Sequence, residues 1–249
     1  MQRYFVNSPL QAGRPIQVSG DIYHHMVHVM RRQLDDQVEL VDPDEEVFLA
    51  KITKIENSAK FVTLSVLKQL PGQSELPVHI TIGCGLSKGD KAEKIVEKGT
   101  ELGADAFWFF PVRYSVARWE GKKINHKLKR LRKVAQEAAE QSHRTHLPKV
   151  DYFASLKDLP DADYTARLVA YEESAKEGEH AVLKQTLNTL KPGAHLVTLF
   201  GPEGGFTPAE VTQLVDQQKY VAAGLGPRIL RAETAPLYLL SVASYVYEL

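Results

Sequence analysis

Along the first seventy residues, apolar and polar positions alternate with period two or gather into β-branched runs at 3–6, 37–41, 47–55 and 61–67. That pattern predicts short strands with one face on a core. One helix interrupts them. It begins near Ser19-Gly20-Asp21, runs through His24-His25-Met26-Val27-His28-Val29-Met30 and closes on Arg31-Arg32, cations suited to a helix C-terminus. Short strands around one helix describe a small barrel-like module over 1–70. The stretch Gln69-Leu70-Pro71-Gly72-Gln73-Ser74-Glu75-Leu76-Pro77 has linker composition, and the boundary is placed there.

From 75 to 249 the rhythm changes to strands alternating with helices, which predicts an α/β domain with a mostly parallel sheet covered on both faces. Strands are expected at 78–83, 106–112, 167–171, 196–200 and 220–225, and helices at 90–102, 126–142, 177–190, 208–217 and 234–249. The fourth helix carries a start signal: Thr207 as cap, Pro208 at the first helical position and Glu210 completing a capping box.

Of 249 residues, 43% are hydrophobic and 25% charged, which excludes wholesale disorder. No basic start followed by an apolar run opens the chain, and the apolar stretch 235–247 is broken by Pro236, Ser241 and Ser244, so neither a leader nor a membrane span is expected. The single cysteine, Cys84, fits a reducing compartment and a buried structural thiol, and the chain is expected in the cytoplasm. Net charge is zero but segregated. Residues 1–84 carry 8 basic and 10 acidic side chains, 85–150 carry 15 and 8, and 151–249 carry 8 and 13. The middle block, at +7, is the kind of footprint that holds a phosphate backbone, although a solvated helix face accounts for it equally well.

The most informative stretch is Leu199-Phe200-Gly201-Pro202-Glu203-Gly204-Gly205-Phe206, a glycine-rich turn between an expected strand and helix. Open α/β sheets bind ligands at such strand ends. It matches neither a dinucleotide fingerprint nor a phosphate-binding P-loop. A second Gly-Pro turn, Gly224-Leu225-Gly226-Pro227-Arg228-Ile229-Leu230-Arg231-Ala232-Glu233-Thr234, follows the next strand. If the two strands are adjacent, the turns form two walls of one pocket with Arg228, Arg231 and Glu233 at its mouth. The alternatives are tight connections without a ligand, a surface ion-pair cluster, and Thr234 as a plain helix cap. On the second helix of that list Gln136, Glu140 and His143 share one face, with Glu137, Gln141 and Arg144 on the next, around alanines that also suit plain helix packing. His24 and His28 lie one turn apart but lack further ligands, so no metal is expected.

These stretches together resemble the bacterial 16S ribosomal RNA uracil-N3 methyltransferases, the RsmE family, within the SPOUT class of S-adenosylmethionine enzymes. The likeness runs through Arg3-Tyr4-Phe5, the His24-His25 helix to Val29-Met30-Arg31, Lys88-Gly89-Asp90-Lys91, Lys98-Gly99-Thr100-Glu101-Leu102-Gly103, Glu140-Gln141-Ser142-His143-Arg144, Phe200-Gly201-Pro202-Glu203-Gly204-Gly205 and Leu225-Gly226-Pro227-Arg228-Ile229-Leu230-Arg231-Ala232-Glu233-Thr234. It implies a PUA-like β-barrel followed by a SPOUT domain tied in a deep trefoil knot, a homodimer, and methylation of 16S ribosomal RNA in the small subunit near its 3′ end, with no membrane or DNA partner. It places S-adenosylmethionine against Phe200, Gly201, Glu203, Leu225, Gly226, Ile229 and Leu230, with Tyr171 and Glu172 on a third side. Catalysis is assigned to Arg231 with Arg228 for the uracil anion, and to Glu233 or Glu140 for its proton. RNA is assigned to Arg3, Arg31, Arg32, Lys88, Lys91 and Arg144. A SPOUT enzyme acting on another RNA, or a non-catalytic RNA-binding or ribosome-assembly factor, would share much of this pattern.

Overall fold

The computed structural model describes residues 1–72, 74–176 and 181–249. They divide into two units, Met1–Glu75 with Ala139–His146, and Leu76–Ala138 with Leu147–Leu249.

The first unit is built on β1 (Arg3–Phe5), β2 (Pro15–Ser19), β3 (Gln37–Val41), β4 (Val47–Glu56) and β5 (Phe61–Leu70) in the order β1-β3-β4-β5-β2. β1 runs parallel to β3 and every other pairing is antiparallel. Alternation puts Ala50 and Ile52 of β4 and Val62 and Leu64 of β5 on one core with Tyr4, Val38 and Leu40. Register shifts at Leu49/Ala50 and Ile52/Lys54 curl the sheet around that core. β2 is absent from the sequence expectation because it fully buries only Val18 and begins on Pro15, which an edge strand tolerates. Helix α1 (Gly20–His24) continues as a π-helical turn, His25–Val29, that inserts Met26 into the core; the chain then turns through Arg31 at φ 51°.

Residues 139–146, expected from the sequence within the second domain, pack with this unit. Arg3 donates from Nε to Glu39 at 2.9 Å and from Nη1 to the carbonyls of His143 and Arg144. Glu75 accepts from the Arg144 guanidinium, from Thr145 N–H at 2.8 Å and from His146 N–H at 3.1 Å. One acidic and one basic side chain thus latch the turn that follows the long helix.

The second unit holds β6 (His79–Gly85), β7 (Ala106–Phe110), β8 (Lys149–Tyr152), β9 (Ala166–Ala170), β10 (His195–Phe200) and β11 (Val221–Ala223), all parallel, in the order β11-β9-β10-β6-β7-β8. β7 is buried along its whole length, as a strand covered on both faces must be. Phe107 and Phe109 face a core completed by α2 (Lys91–Glu101), α3 (Lys122–Gln141), α5 (Val182–Thr189) and α7 (Thr234–Glu248), while Trp108 and Phe110 face the opposite core under α6 (Pro208–Gln218). A short helix α4 (Glu172–Lys176) follows β9. The helix expected at 177–190 is seen as α5 from Val182; 177–180 lie outside the described residues. β8 escaped the sequence reading because only Val150 of its four residues is fully buried. Cys84 is buried in β6, and burial pushes its thiol far above the ordinary range, as suits a structural thiol. Among the described residues no helix is long and apolar enough to cross a membrane.

Candidate functional site

The chain steps from β6 to β7 and β8 on one side of the sheet and places β9, β10 and β11 on the other, so its direction reverses at β6. Strand C-termini beside such a reversal open a crevice. Here the segments after β9, β10 and β11 line one cavity of about 850 Å³, a volume suited to a small organic ligand. The two Gly-Pro turns are not on adjacent strands. β9 lies between β10 and β11, so Tyr171 and Glu172 at its end separate the two walls.

After β10 the backbone folds onto itself. Gly205, at φ 69°, donates its N–H to Pro202 O at 2.9 Å. A Cβ on Gly201 would stand 2.7 Å from Gly205 Cα and carbonyl carbon, so only glycine fits the crossing. The turn is secured by the capping box foreseen at α6: Glu210 N–H donates to Thr207 Oγ1 at 3.2 Å and Thr207 N–H to Glu210 Oε2 at 2.8 Å. After β11, Arg231 O receives Thr234 N–H at 2.9 Å and Ala235 N–H at 3.0 Å, which starts α7. Thr234 is therefore already helical, and Glu233 takes the cap position without a side-chain cap bond.

Lys91 and Glu203 line the cavity and Glu233 stands just behind it, outside the lining: Lys91 Nζ lies 3.0 Å from Glu203 Oε1 and 3.1 Å from Glu233 Oε2. Hydrogen bonding to Glu203, and then to Glu233, holds this ammonium above the ordinary lysine range. Burial pushes both carboxyls up, but hydrogen bonds from their own backbone N–H groups and from Lys91 outweigh it and hold both below the ordinary range. Arg228 and Arg231 line the same cavity, both exposed, and among the described residues neither forms an ion pair. The arrangement pairs one balanced cation with two arginines open to an anionic group.

The cavity brings together all nine residues the resemblance assigned to the cofactor, Tyr171, Glu172, Phe200, Gly201, Glu203, Leu225, Gly226, Ile229 and Leu230, with Arg228, Arg231 and Lys91. Lys91, assigned to RNA from the sequence, is a cavity residue engaged by two carboxylates. Glu140 is not among the lining residues: it is 8% exposed in the first unit, where its charge acts on Tyr4. Arg3 and Arg144 depart from the phosphate-binding expectation. They are 7% and 3% exposed and hold Glu39, Glu75 and backbone carbonyls, so the structure gives them a structural role. Arg31 and Lys88 remain exposed and Arg32 is half-buried, 3.9 Å from Asp36.

The basic block is also redistributed. Lys94, Lys98, Arg130, Arg132 and Lys133 each meet a carboxylate. Among the described residues, Lys88, Arg113, Arg118, Lys122, Lys123, Lys127, Lys129 and Lys149 form no ion pair, so most of the open positive charge lies at and just before the start of α3. Tyr114, on the connection after β7, lines the cavity and was missed: no motif marks it, and only the sheet order carries it there.

Residues 74–244 match the model of an RNA methyltransferase domain and residues 18–66 that of an RNA methyltransferase PUA domain. The chain is 42% identical over 254 residues to "Ribosomal RNA small subunit methyltransferase E" of Bacillus subtilis (strain 168), covering 100% of this chain and 98% of that protein. It is 31% identical to the protein of the same name from Mycobacterium bovis, over 93% of this chain and 87% of the relative. Among solved structures it superposes with a TM-score of 0.84 on Ribosomal RNA small subunit methyltransferase E from Neisseria gonorrhoeae bound to S-adenosyl methionine, at 25% identity over 99% of this chain and 98% of the other.

Proposed function

From the premise that the chain belongs to the ribosomal RNA small subunit methyltransferase E family, we propose that it transfers the methyl group of S-adenosylmethionine to N3 of one uridine near the 3′ end of 16S ribosomal RNA in the small subunit. The observation that carries this reading is the convergence of three strand-end loops on one cavity whose open cations are Arg228 and Arg231. The cavity fits the cofactor in volume and chemistry: glycine backbone at Gly201 and Gly226 allows close approach, and Leu225 and Ile229 offer apolar surface to an adenosine. In this reading the 200–208 and 224–234 loops are the crossings of a trefoil knot.

When bound, S-adenosylmethionine supplies a methyl group on a cationic sulfur, which is already electrophilic. The difficulty lies in the acceptor, because uracil N3 carries a proton at neutral pH and is a poor nucleophile. Arg231, with Arg228 beside it, stabilises the negative charge that spreads over the uracil oxygens as N3 loses that proton. Glu233 stays ionised next to Lys91 and serves as a relay to solvent, since a carboxylate held below its ordinary range is a weak final acceptor. Lys91 ties Glu203 and Glu233 together and so keeps these two carboxylates from repelling each other.

RNA is held by Arg31, Arg32 and Lys88 and by the free cations at the start of α3, through phosphates. Dimerisation is assigned to α7, where Tyr238, Tyr245 and Val246 stand 37%, 70% and 37% exposed, while Leu240 is fully buried inside the unit.

The test uses small subunits from cells lacking the gene, the purified protein and labelled S-adenosylmethionine, followed by digestion and mass mapping. A single 3-methyluridine near the 3′ end of 16S RNA is expected. Incorporation at another nucleoside would overturn the site, and no incorporation with cofactor binding intact would overturn the substrate.

A further inference from the structure

We propose that Tyr114 is the aromatic platform on which the target base stacks once it has entered the cavity, an inference that rests on the methyltransferase reading above. Phe200 and Phe206, which also line the cavity, are 2% and 5% exposed and belong to the core. Tyr114 is 48% exposed. Among the described residues its ring has no aromatic or cationic partner, and the residue lines the cavity.

The turn that carries it is held by three hydrogen bonds. Ser115 N–H donates to Val112 O at 2.9 Å, Val112 N–H donates to Ser115 Oγ at 3.1 Å, and Arg113 N–H donates to Glu210 Oε1 at 2.7 Å. The turn that carries Tyr114 is therefore closed on itself and tied to the cap of α6. Its stem lies against Gly204, where a Cβ would come within 2.9 Å of Tyr114 Cβ and 3.2 Å of Cγ. The fourth glycine-loop residue thus has a use beyond the loop: without a side chain it lets the tyrosine sit over the loop.

An unstacked uracil leaving RNA loses its neighbours' π-faces, and a fixed tyrosine ring replaces one of them without reading sequence. Arg231 then meets the base from the other loop. Tyr114 holds the ring plane while Arg231 addresses its charge, which separates positioning from activation.

The experiment compares wild type, Tyr114→Ala and Tyr114→Phe in methylation of unmethylated small subunits, with the thermal shift produced by S-adenosylmethionine as a second readout. Stacking predicts that Tyr114→Ala raises KM for subunits, or lowers kcat/KM, by about tenfold or more, with the thermal shift unchanged and Tyr114→Phe close to wild type. Wild-type kinetics in Tyr114→Ala would overturn the proposal alone. A lost thermal shift would make the ring a cofactor contact and overturn it as well, as would a Tyr114→Phe as impaired as the alanine variant. A wild-type protein that methylates no subunit would instead overturn the reading on which it rests.

Discussion

Arg113 and Glu210 are 97 residues apart in sequence, yet the Arg113 N–H donates to Glu210 Oε1 at 2.7 Å. The other oxygen of the same carboxylate takes Thr207 N–H at 2.8 Å. One side chain therefore closes the first turn of α6 and pins the connection after β7. Glu210→Ala should lower unfolding free energy by about 1–2 kcal/mol, since a cap and a second backbone bond go together. Glu210→Gln keeps an acceptor oxygen and should recover part of the loss; urea denaturation of both decides, and equal losses would refute the double role.

Arg231 is expected to matter to turnover and not to cofactor affinity. Arg231→Ala should reduce methyl transfer by about 10²–10³-fold, the usual cost of removing a charge-stabilising donor. The stabilisation by S-adenosylmethionine in a melting experiment should persist. An alanine variant with full turnover would remove Arg231 from the mechanism.

The crossing at Gly201 is testable by one methyl group. In Gly201→Ala the added Cβ would need room 2.7 Å from Gly205 backbone atoms, where no flexible side chain can yield. The loop must shift, at a cost of about 1–3 kcal/mol, and cofactor affinity should fall with it. Calorimetric titration with S-adenosylhomocysteine would show wild-type affinity if the loop were not part of the site.

His195 sets an acid limit on stability. Its Nε2 lies 2.9 Å from Thr81 Oγ1 and its ring 5.0 Å from that of Tyr164. Burial holds the imidazole below its ordinary 6.5, with Asp105 pulling it up and His79, 5.7 Å away, pulling it down. The unfolded chain therefore binds this proton more readily than the folded one. Stability from this site is present above pH 6.5 and is lost as pH falls from there through the folded value. His195→Gln should flatten the fall in unfolding free energy between neutral pH and about pH 5.5, given the ordinary histidine range. An unchanged slope would assign the acid sensitivity elsewhere.

Open charge at the start of α3 should appear in the salt dependence of RNA binding. Replacing Lys122, Lys123 and Lys129 by glutamine should reduce the slope of log affinity against log salt by about two units, as expected for three lost phosphate contacts. Replacing Lys94, Lys98 and Lys133, which have carboxylate partners, should change it less.

The sequence by itself determined the strands and helices that carry strong periodicity, the parallel α/β class, the capping box of α6 and the two glycine-rich loops, because each depends on residues close together in the chain. It could not reveal β2 and β8, whose edge positions bury one residue apiece. Nor could it show that β9 separates the two loops, since strand order is set by crossovers and not by local propensity. The fates of the cations were decided in the same way. Arg3 and Arg144 look like phosphate ligands in the sequence, but carboxylates at Glu39 and Glu75, 36 and 69 residues away, claim them in the fold. Lys91, Glu203 and Glu233 form one charge cluster only because the start of α2 meets two separate loops. Tyr114 carried no sequence signal at all, and its place in the cavity follows from a glycine without a Cβ and a glutamate on another helix. Local chemistry is written along the chain, whereas burial and the choice of electrostatic partner arise only when distant segments are brought within a few ångströms.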